Sequence, residues 1–458
     1  MMSIHFDAII VGTGQAGPPL AKRLTSAGMK VAIIERKRFG GTCVNTGCIP
    51  TKTLVASAKA IHTARRASEY GFHTGSVTVD MKKIKERKDG IVASFNQGLE
   101  SWLREMKNCS VYQGHARFES ARTLRAGSDV LEAENIFLNV GARASKPPIP
   151  GFDSTGFLTN SSMMDVDFLP PHLVILGGSY VGLEFGQMYR RFGSEVTIIE
   201  RNEHLVSHED PDISDGVRHI LEAEGIQILT AATVTEVERR GAQIALKVAT
   251  NDDAREISGS HVLAAVGRVP NTGDLGLEKA GVAVDGNGYI AVDDQLRTSV
   301  PGIWALGDAN GKGAFTHTSY NDYEIVAANL LDNDPRRVSD RILAYNLYID
   351  PPLGRAGMNE TEVRKSGRKA LIGTRPMTKV GRAIEKGETQ GFMKILVDAD
   401  SQRILGASLL GVECDEVIHS ILDVMYAKAP YTVIQRAMHI HPTVSELVPT
   451  MLGEMKPL

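Results

Sequence analysis

FDAIIVGTGQAGPPLAKRLTSAGMKVAIIER, residues 6–36, decides the fold. A short apolar run, Ala8 to Val11, leads into Gly12, Gly14 and Gly17 at G-x-G-x-x-G spacing. A helical pattern follows, and a second apolar run, Val31 to Ile34, ends on Glu35. This order of strand, Gly-rich turn, helix, strand and acid suits a dinucleotide. The glycines allow a tight turn and close backbone approach to a pyrophosphate, the helix N-terminus favours its charge, and the acid suits ribose hydroxyls. Pro18 and Pro19 fall in the first helical turn, where the missing N–H groups have few intrahelical partners anyway.

The pattern returns in HLVILGGSYVGLEFGQMYRRFGSEVTIIER, residues 172–201, with Leu173 to Leu176, then Gly177, Gly178 and Gly182, a helix, and Val196 to Ile199 ending on Glu200. The offset from first glycine to acid is 23 residues in each copy. One such motif is weak evidence; two copies with one offset are strong. Ser179 stands where the second glycine of this copy belongs, so a Cβ faces the phosphates. Two further segments repeat: NIFLNVGARASKPPIPG (135–151) and HVLAAVGRVPNT (261–272) each run strand, Val-Gly, Ala/Gly-Arg, Pro, which marks Gly141 and Gly267 as turns at strand ends. VPGIWALGDANG brings a strand, Ile303 to Leu306, to Asp308, beyond a strand's C-terminal end where open α/β sheets bind ligands.

At about 150 residues per domain, 458 residues suggest roughly three domains. We expect an α/β protein with two Rossmann-like dinucleotide-binding domains and a C-terminal α+β domain. The first would be discontinuous over 1–150 and 272–338, the second would span 151–271, and the last 339–458, where the Gly-rich turns cease. A net charge of −3 with no long basic run disfavours nucleic acid and anionic membranes as partners. No apolar stretch approaches the roughly 20 residues needed to span a bilayer. Four cysteines in so long a chain are no secreted disulfide framework, and the expected setting is cytoplasmic.

Cys109 and Cys414 are isolated and read as inert thiols. Cys43 and Cys48, in GGTCVNTGCIPTK (40–52), read differently. A metal site would need further Cys or His at ligand spacing; His62 is the next candidate and nothing completes a set, so no metal site is expected. A structural staple gains little from so short a loop. A redox pair remains. TKTLVASAKAIHTARRA reads as a helix, so Cys48 would lie just before its N-terminus, where partial positive charge and Lys52 favour the thiolate. Near the C-terminus, MHIHPTVSELVPTML carries His441, suited to proton transfer at neutral pH, and Glu446, suited to orienting its ring; His439 ranks second.

GGTCVNTGCIPTK resembles the active-site stretch of the FAD-dependent pyridine nucleotide–disulfide oxidoreductases, a family that includes glutathione reductase, dihydrolipoamide dehydrogenase and mercuric reductase. The resemblance runs from Gly12 to Glu446. It implies that Gly12, Gly14, Gly17, Glu35, Gly41, Thr42, Lys52, Gly141 and Asp308 hold FAD. Gly177, Tyr180, Gly182, Glu184, Glu200 and Gly267 would hold NAD(P)H. Cys48 resembles the charge-transfer thiolate beside the flavin and Cys43 the interchange thiol. Lys52 matches the lysine near flavin N5 and Glu184 its carboxylate partner; Tyr180 matches an aromatic gate over the nicotinamide pocket. HPTVSE resembles the C-terminal His-Pro…Glu that reaches into the partner subunit, which implies a homodimer. Glu200 would repel a 2′-phosphate and favours NADH over NADPH, although Arg201 could pair with one.

The segments FTHTSYNDYEIV, KAPYTVIQ and HPTVSE are most similar to the reactive-chlorine-resistance and mercuric reductase-like branch. The expected activity is an NAD(P)H-dependent disulfide reductase passing electrons through FAD and the Cys43–Cys48 disulfide to a small disulfide, an oxidised thiol or a metal ion. GEMKPL lacks the terminal Cys pair of mercuric reductases, which argues against Hg(II) delivery by that route. The alternatives are a mercuric or copper ion reductase, a dihydrolipoamide dehydrogenase, and an NADH oxidase or transhydrogenase with bystander cysteines.

Overall fold

Apolar runs without alternation form parallel strands covered on both faces, and the first copy behaves so. The computed structural model describes residues 3–251 and 253–458. Strands Ile4–Val11 and Val31–Glu35 pair in parallel, and Ala8, Ile9, Ile10 and Ile33 are fully buried. They belong to a seven-stranded sheet ordered Cys109–Gln113, Val31–Glu35, Ile4–Val11, Asp129–Leu138, Thr123–Ala126, Ala116–Phe118. Ile303–Ala305 returns from far along the chain to pair with Asp129–Leu138, Ile303 opposite Ile136. Helix Gly17–Ser26 starts with the two prolines in its first turn and buries Leu20, Ala21 and Leu24 against Ile10, Ile33 and Phe137. Truncating Leu20 to Ala in that layer would cost about 2–5 kcal/mol. Between the second and third strands of this half run two long helices, Cys48–Arg65 and Met81–Glu105.

The second copy builds a four-stranded parallel sheet ordered Gln227–Leu229, Glu195–Ile199, His172–Leu176, His261–Ala264. Helix Tyr180–Phe192 covers one face, with Leu183 and Met188 packed among Ile175 and Ile198. An antiparallel meander, Thr233–Arg240, Gln243–Ala249 and Ala254–Gly259, covers the other, with Val237, Ile244 and Leu246 on Val174 and Ile199. The two Val-Gly-Arg segments, read in sequence as separate turns, pair with each other: Ala142–Ala144 runs antiparallel to Arg268–Pro270. That ribbon links the two sheets.

Beyond residue 343 lies a six-stranded antiparallel sheet ordered Ala344–Leu347, Leu353–Gly357, Ile404–Leu410, Phe392–Asp398, Ala370–Pro376, Lys456–Pro457. Helix Cys414–Tyr426 packs on it so closely that a Cβ on Gly354 would lie 2.4 Å from the Cys414 carbonyl. Cys414 opens this helix and is fully buried, as suits an inert thiol. Buried charges tie this sheet to the second one. Glu209 meets Arg355 at 3.2 Å, and Lys394 meets Asp210 at 3.0 Å and Asp212 at 2.8 Å. Removing one member of such a cluster would leave a desolvated charge and cost about 3–5 kcal/mol.

Candidate active site

Cys48 is the first residue of its helix rather than the residue before it, and Gly47 is the N-cap. Cys43 sits on the short helix Gly41–Asn45. Both are free thiols. Thr316 Oγ1 lies 3.1 Å from Cys48 Sγ, and Thr316 opens helix Thr316–Ala327. Two helix N-termini therefore converge on one sulfur, and both favour negative charge there. The hydrogen bond from Cys43, together with Thr316 and Lys52, lowers the Cys48 thiol to about 6 against the opposing effects of burial and Glu184. Bonding to Cys48, then burial, raises the Cys43 thiol well above its ordinary value. The pair is thus polarised, with the thiolate favoured at Cys48 and the thiol at Cys43. This is the asymmetry that disulfide exchange uses.

Lys52 lies one turn after Cys48 on the same helix face. Its Nζ donates to both Glu184 oxygens, at 3.0 and 2.8 Å, and sits 4.7 Å from the centroid of the Tyr348 ring. Glu184 is 5 % exposed and also accepts the Tyr348 N–H at 3.0 Å. Glu184 in turn lies one turn after Tyr180, so two packed helices bring their paired positions together.

A cavity of about 1910 Å³ collects Gly12, Gly14, Glu35, Gly41, Thr42, Gly141 and Asp308 with Cys43, Cys48, Lys52, Tyr180 and Glu184. That is about twice the upper end of ordinary small-molecule sites, roughly 300–1,000 Å³, and leaves room for a dinucleotide. Gly12 has φ 104, and a Cβ there would lie 2.3 Å from the Asn139 carbonyl oxygen. Gly141 has φ 65, and a Cβ there would meet nothing within 4 Å, so its missing side chain keeps the cavity open. Burial raises the Asp308 carboxyl despite Arg268, whose Nε is 3.3 Å away. Arg268 Nε is itself buried without a hydrogen-bond partner. Glu35 fastens its own turn, accepting from Thr13 N–H at 3.1 Å, Thr13 Oγ1 at 2.7 Å and Lys37 N–H at 2.9 Å. Open glycine backbone with the Glu35 carboxylate on one side, and Cys48 beside the Lys52–Glu184 pair within the same cavity, fit a flavin dinucleotide.

Gly17, Gly177, Gly182, Gly267 and Glu200 do not line that cavity. Gly17 packs beneath the first turn, where a Cβ would lie 2.3 Å from the Gly12 carbonyl oxygen. Gly177 and Gly182 repeat that arrangement in the second turn, with a Cβ at Gly182 only 2.0 Å from the Gly177 carbonyl oxygen. Glu200 accepts from Gly178 N–H at 2.6 Å and from Asn202 N–H and Nδ2 at 2.8 and 2.7 Å. A buried carboxylate facing a glycine turn fits a pyridine nucleotide's ribose.

His441 and Glu446 do not line the cavity that holds the cysteines of their own chain. His441 Nδ1 lies 3.1 and 3.0 Å from the two Glu446 oxygens, while the imidazole is 79 % exposed. Met438 and Ile440 beside it are 99 % and 80 % exposed. Among the described residues no group of three or more His, Cys, Asp and Glu is arranged to hold a metal, and no helix is long and apolar enough to cross a membrane. Sequence reasoning missed Thr316, Asn139 and Tyr348. Thr316 lies 268 positions from Cys48, and no local signal connects them.

Comparison with known proteins agrees with this geometry. The family described as pyridine nucleotide-disulphide oxidoreductase matches residues 6–322, and its dimerisation domain matches 343–452. The "Probable pyridine nucleotide-disulfide oxidoreductase RclA" of Escherichia coli K12 is 37 % identical over 98 % of this chain and 99 % of its own. A dihydrolipoyl dehydrogenase of Thermus scotoductus is 32 % identical over 96 % and 95 %, and a mercuric reductase of Staphylococcus aureus 30 % identical over 91 % and 76 %. The solved structure of the HOCl-induced flavoprotein disulfide reductase RclA from Escherichia coli superposes with a TM-score of 0.90 at 36 % identity, over 98 % of this chain and 99 % of that one. A Cu(II) complex of RclA superposes at 0.89, also at 36 % identity and with the same coverage. The chain belongs to the pyridine nucleotide-disulphide oxidoreductase family: it is a flavoprotein disulfide reductase that uses FAD and a pyridine nucleotide, and its dimerisation domain supports a homodimer.

Proposed function

We propose that Cys43 and Cys48 are the redox-active pair of this reductase, and that Gly12, Gly14, Glu35, Gly41, Thr42, Gly141 and Asp308 hold its FAD, with Gly17 supporting the turn from beneath. The observation that carries this reading is the single cavity shared by the first Gly-rich turn, the Cys48 thiolate and the Lys52–Glu184 pair. Bound FAD supplies two-electron transfer between a pyridine nucleotide and a disulfide. Lys52, held by Glu184, contributes a fixed positive charge beside the thiolate. The second turn, with Glu200, is the NADH site: that buried carboxylate would lie against a 2′-phosphate, so NADH is favoured over NADPH. The domains follow the sheets, 1–150 with 272–338, 151–271, and 339–458; the return of Ile303–Ala305 to the first sheet supports the discontinuous one. A thiol pair kept for exchange suits a reducing, cytoplasmic setting.

In the acceptor step the Cys43 proton passes to His441 of the partner subunit. The Cys43 sulfur attacks one sulfur of the acceptor disulfide, and the S–S bond breaks. The departing thiolate takes the proton from His441, whose Nδ1 is oriented by Glu446. The Cys48 thiolate then attacks Cys43, closing the Cys43–Cys48 bond and releasing the second thiolate of the acceptor. Disulfides and oxidised thiols fit this sequence. Soft metal ions are a second acceptor class, favoured by the similarity to RclA, of which a Cu(II) complex is known, and to mercuric reductases.

Anaerobic NADH titration with thiol counting tests the reading. The oxidised homodimer should gain two titratable thiols per chain as NADH is consumed, and NADPH should do so less effectively. Flavin bleaching with no new thiols would instead identify an oxidase or transhydrogenase with bystander cysteines.

A further inference from the structure

The second Gly-rich copy ends in a loop, 200–210, that reaches well beyond its own turn. Val206 donates its N–H to the Gly178 carbonyl at 2.9 Å, and its own carbonyl accepts the Glu209 N–H at 2.7 Å. Val206 has φ 41, a left-handed conformation that a β-branched residue rarely adopts and that persists only where its surroundings hold it. The Glu209 side chain is wholly buried; Arg355 Nε lies 3.2 Å from one oxygen, and the Tyr345 hydroxyl donates to the other. The Arg355 guanidinium is fixed in turn by the Ala356 and Ala407 carbonyls, at 2.7 and 3.2 Å.

The buried Tyr345 ring meets the Tyr180 ring edge to face with centroids 5.4 Å apart, and stacks on Phe315 at 5.3 Å. Tyr180 also meets Phe315 edge-on at 5.6 Å. Tyr180 is less buried than Tyr345 and is the first residue of its helix, whereas Tyr345 is tethered at its far end. A tyrosine hydroxyl bonded to a buried carboxylate cannot tilt away without leaving that carboxylate short of a donor.

We propose that Tyr345 is a positioning residue for Tyr180: anchored by Glu209, its ring holds Tyr180 in the closed position and sets how readily pyridine nucleotide displaces it. The inference rests on the proposed NADH site at the second turn and on the resemblance by which Tyr180, the first residue of that turn's helix, would cover the nicotinamide. It also makes the loop that fastens the Gly-rich turn the same loop that secures the ring above the pocket.

The test uses the FAD-loaded homodimer and rapid anaerobic mixing with NADH, followed by flavin absorbance. Tyr345→Phe keeps the ring and removes the tether. It should lower the apparent Kd for NADH about fivefold, the effect of losing one net hydrogen bond. The KM for a disulfide acceptor should not follow. Glu209→Gln leaves a weaker acceptor and should shift NADH affinity the same way by less. The double variant should go no further than Tyr345→Phe, because both changes act on one bond. An unchanged Kd in Tyr345→Phe, or additive effects in the double variant, overturns the proposal; Tyr345→Phe decides alone should Glu209→Gln fail to fold. Wild-type flavin that NADH does not reduce would overturn the nucleotide reading itself, and the positioning role with it. Reduced wild-type flavin with an indifferent Tyr345→Phe removes the positioning role only.

Discussion

The two Gly-rich copies share a backbone plan and part company after the second strand. In each, the terminal acid fastens its own turn: Glu35 takes the Thr13 N–H and Glu200 the Gly178 N–H. In each, the first glycine needs positive φ and presses on a neighbouring carbonyl, that of Asn139 or Ala265. Beyond Glu35, the chain turns through Gly40 and Gly41, at φ 92 and 59, and delivers Cys43 into the cavity. Beyond Glu200, it delivers Glu209 and Asp210 into the C-terminal sheet. One grip thus serves two ends. On the proposed reading the first copy brings sulfur to the FAD it would hold, and the second braces a ring and a domain around a nucleotide that would leave at every turnover.

The sharpest way to break this division is Cys43→Ser. Turnover with disulfide acceptors should fall on the order of 10³-fold or more while NADH still reduces the flavin; full disulfide turnover would show that the first copy delivers nothing essential. Next in size is a matched pair, Gly12→Ala and Gly177→Ala, whose added Cβ atoms would lie 2.3 and 2.4 Å from carbonyl oxygens. The first should be purified with its flavin content down about tenfold, and the second with flavin intact and a KM for NADH raised about tenfold. Equal flavin loss in both would mean the turns are not specialised.

A smaller effect concerns the sulfur itself. Because Cys48 is lowered to about 6, alkylation of the reduced enzyme at Cys48 should be slow at pH 5 and fast above pH 7. Lys52→Met removes a cation that favours the thiolate and leaves Glu184 uncompensated, so the midpoint should rise by about one unit. A midpoint that stays put would assign the low value to Cys43 and Thr316 alone. The smallest change is expected at Ser179→Gly, which restores the consensus spacing. Ser179 has φ −119, unstrained for any residue, so the KM for NADH should move by less than about twofold.

Much of this was legible in the chain itself because the signals are local. Parallel strands read as unbroken apolar runs, the glycine spacing marks each turn, and Cys48 with Lys52 shares one helix face. The Lys52–Glu184 pair was legible by family resemblance, and each partner sits four residues after another site residue. What stayed hidden depends on long-range meetings with no periodicity to betray them. Ala142–Ala144 pairs with Arg268–Pro270, Thr316 meets Cys48, and Tyr345 meets both Glu209 and Tyr180. Nor did the polar neighbours of Cys414, Glu413, Asp415 and Glu416, announce that the helix it opens turns the thiol inward.

The exposed tail at Met438–His441 has a consequence for how the enzyme would behave on dilution. If His441 carries the proton, a chain whose His441 lies outside its own cysteine cavity would not finish a disulfide turnover alone. Specific activity toward disulfides would then decline as protein concentration drops below the dissociation constant of the pair, whereas dye reduction by the flavin would stay proportional to protein. Stoichiometry would be written into the catalytic step.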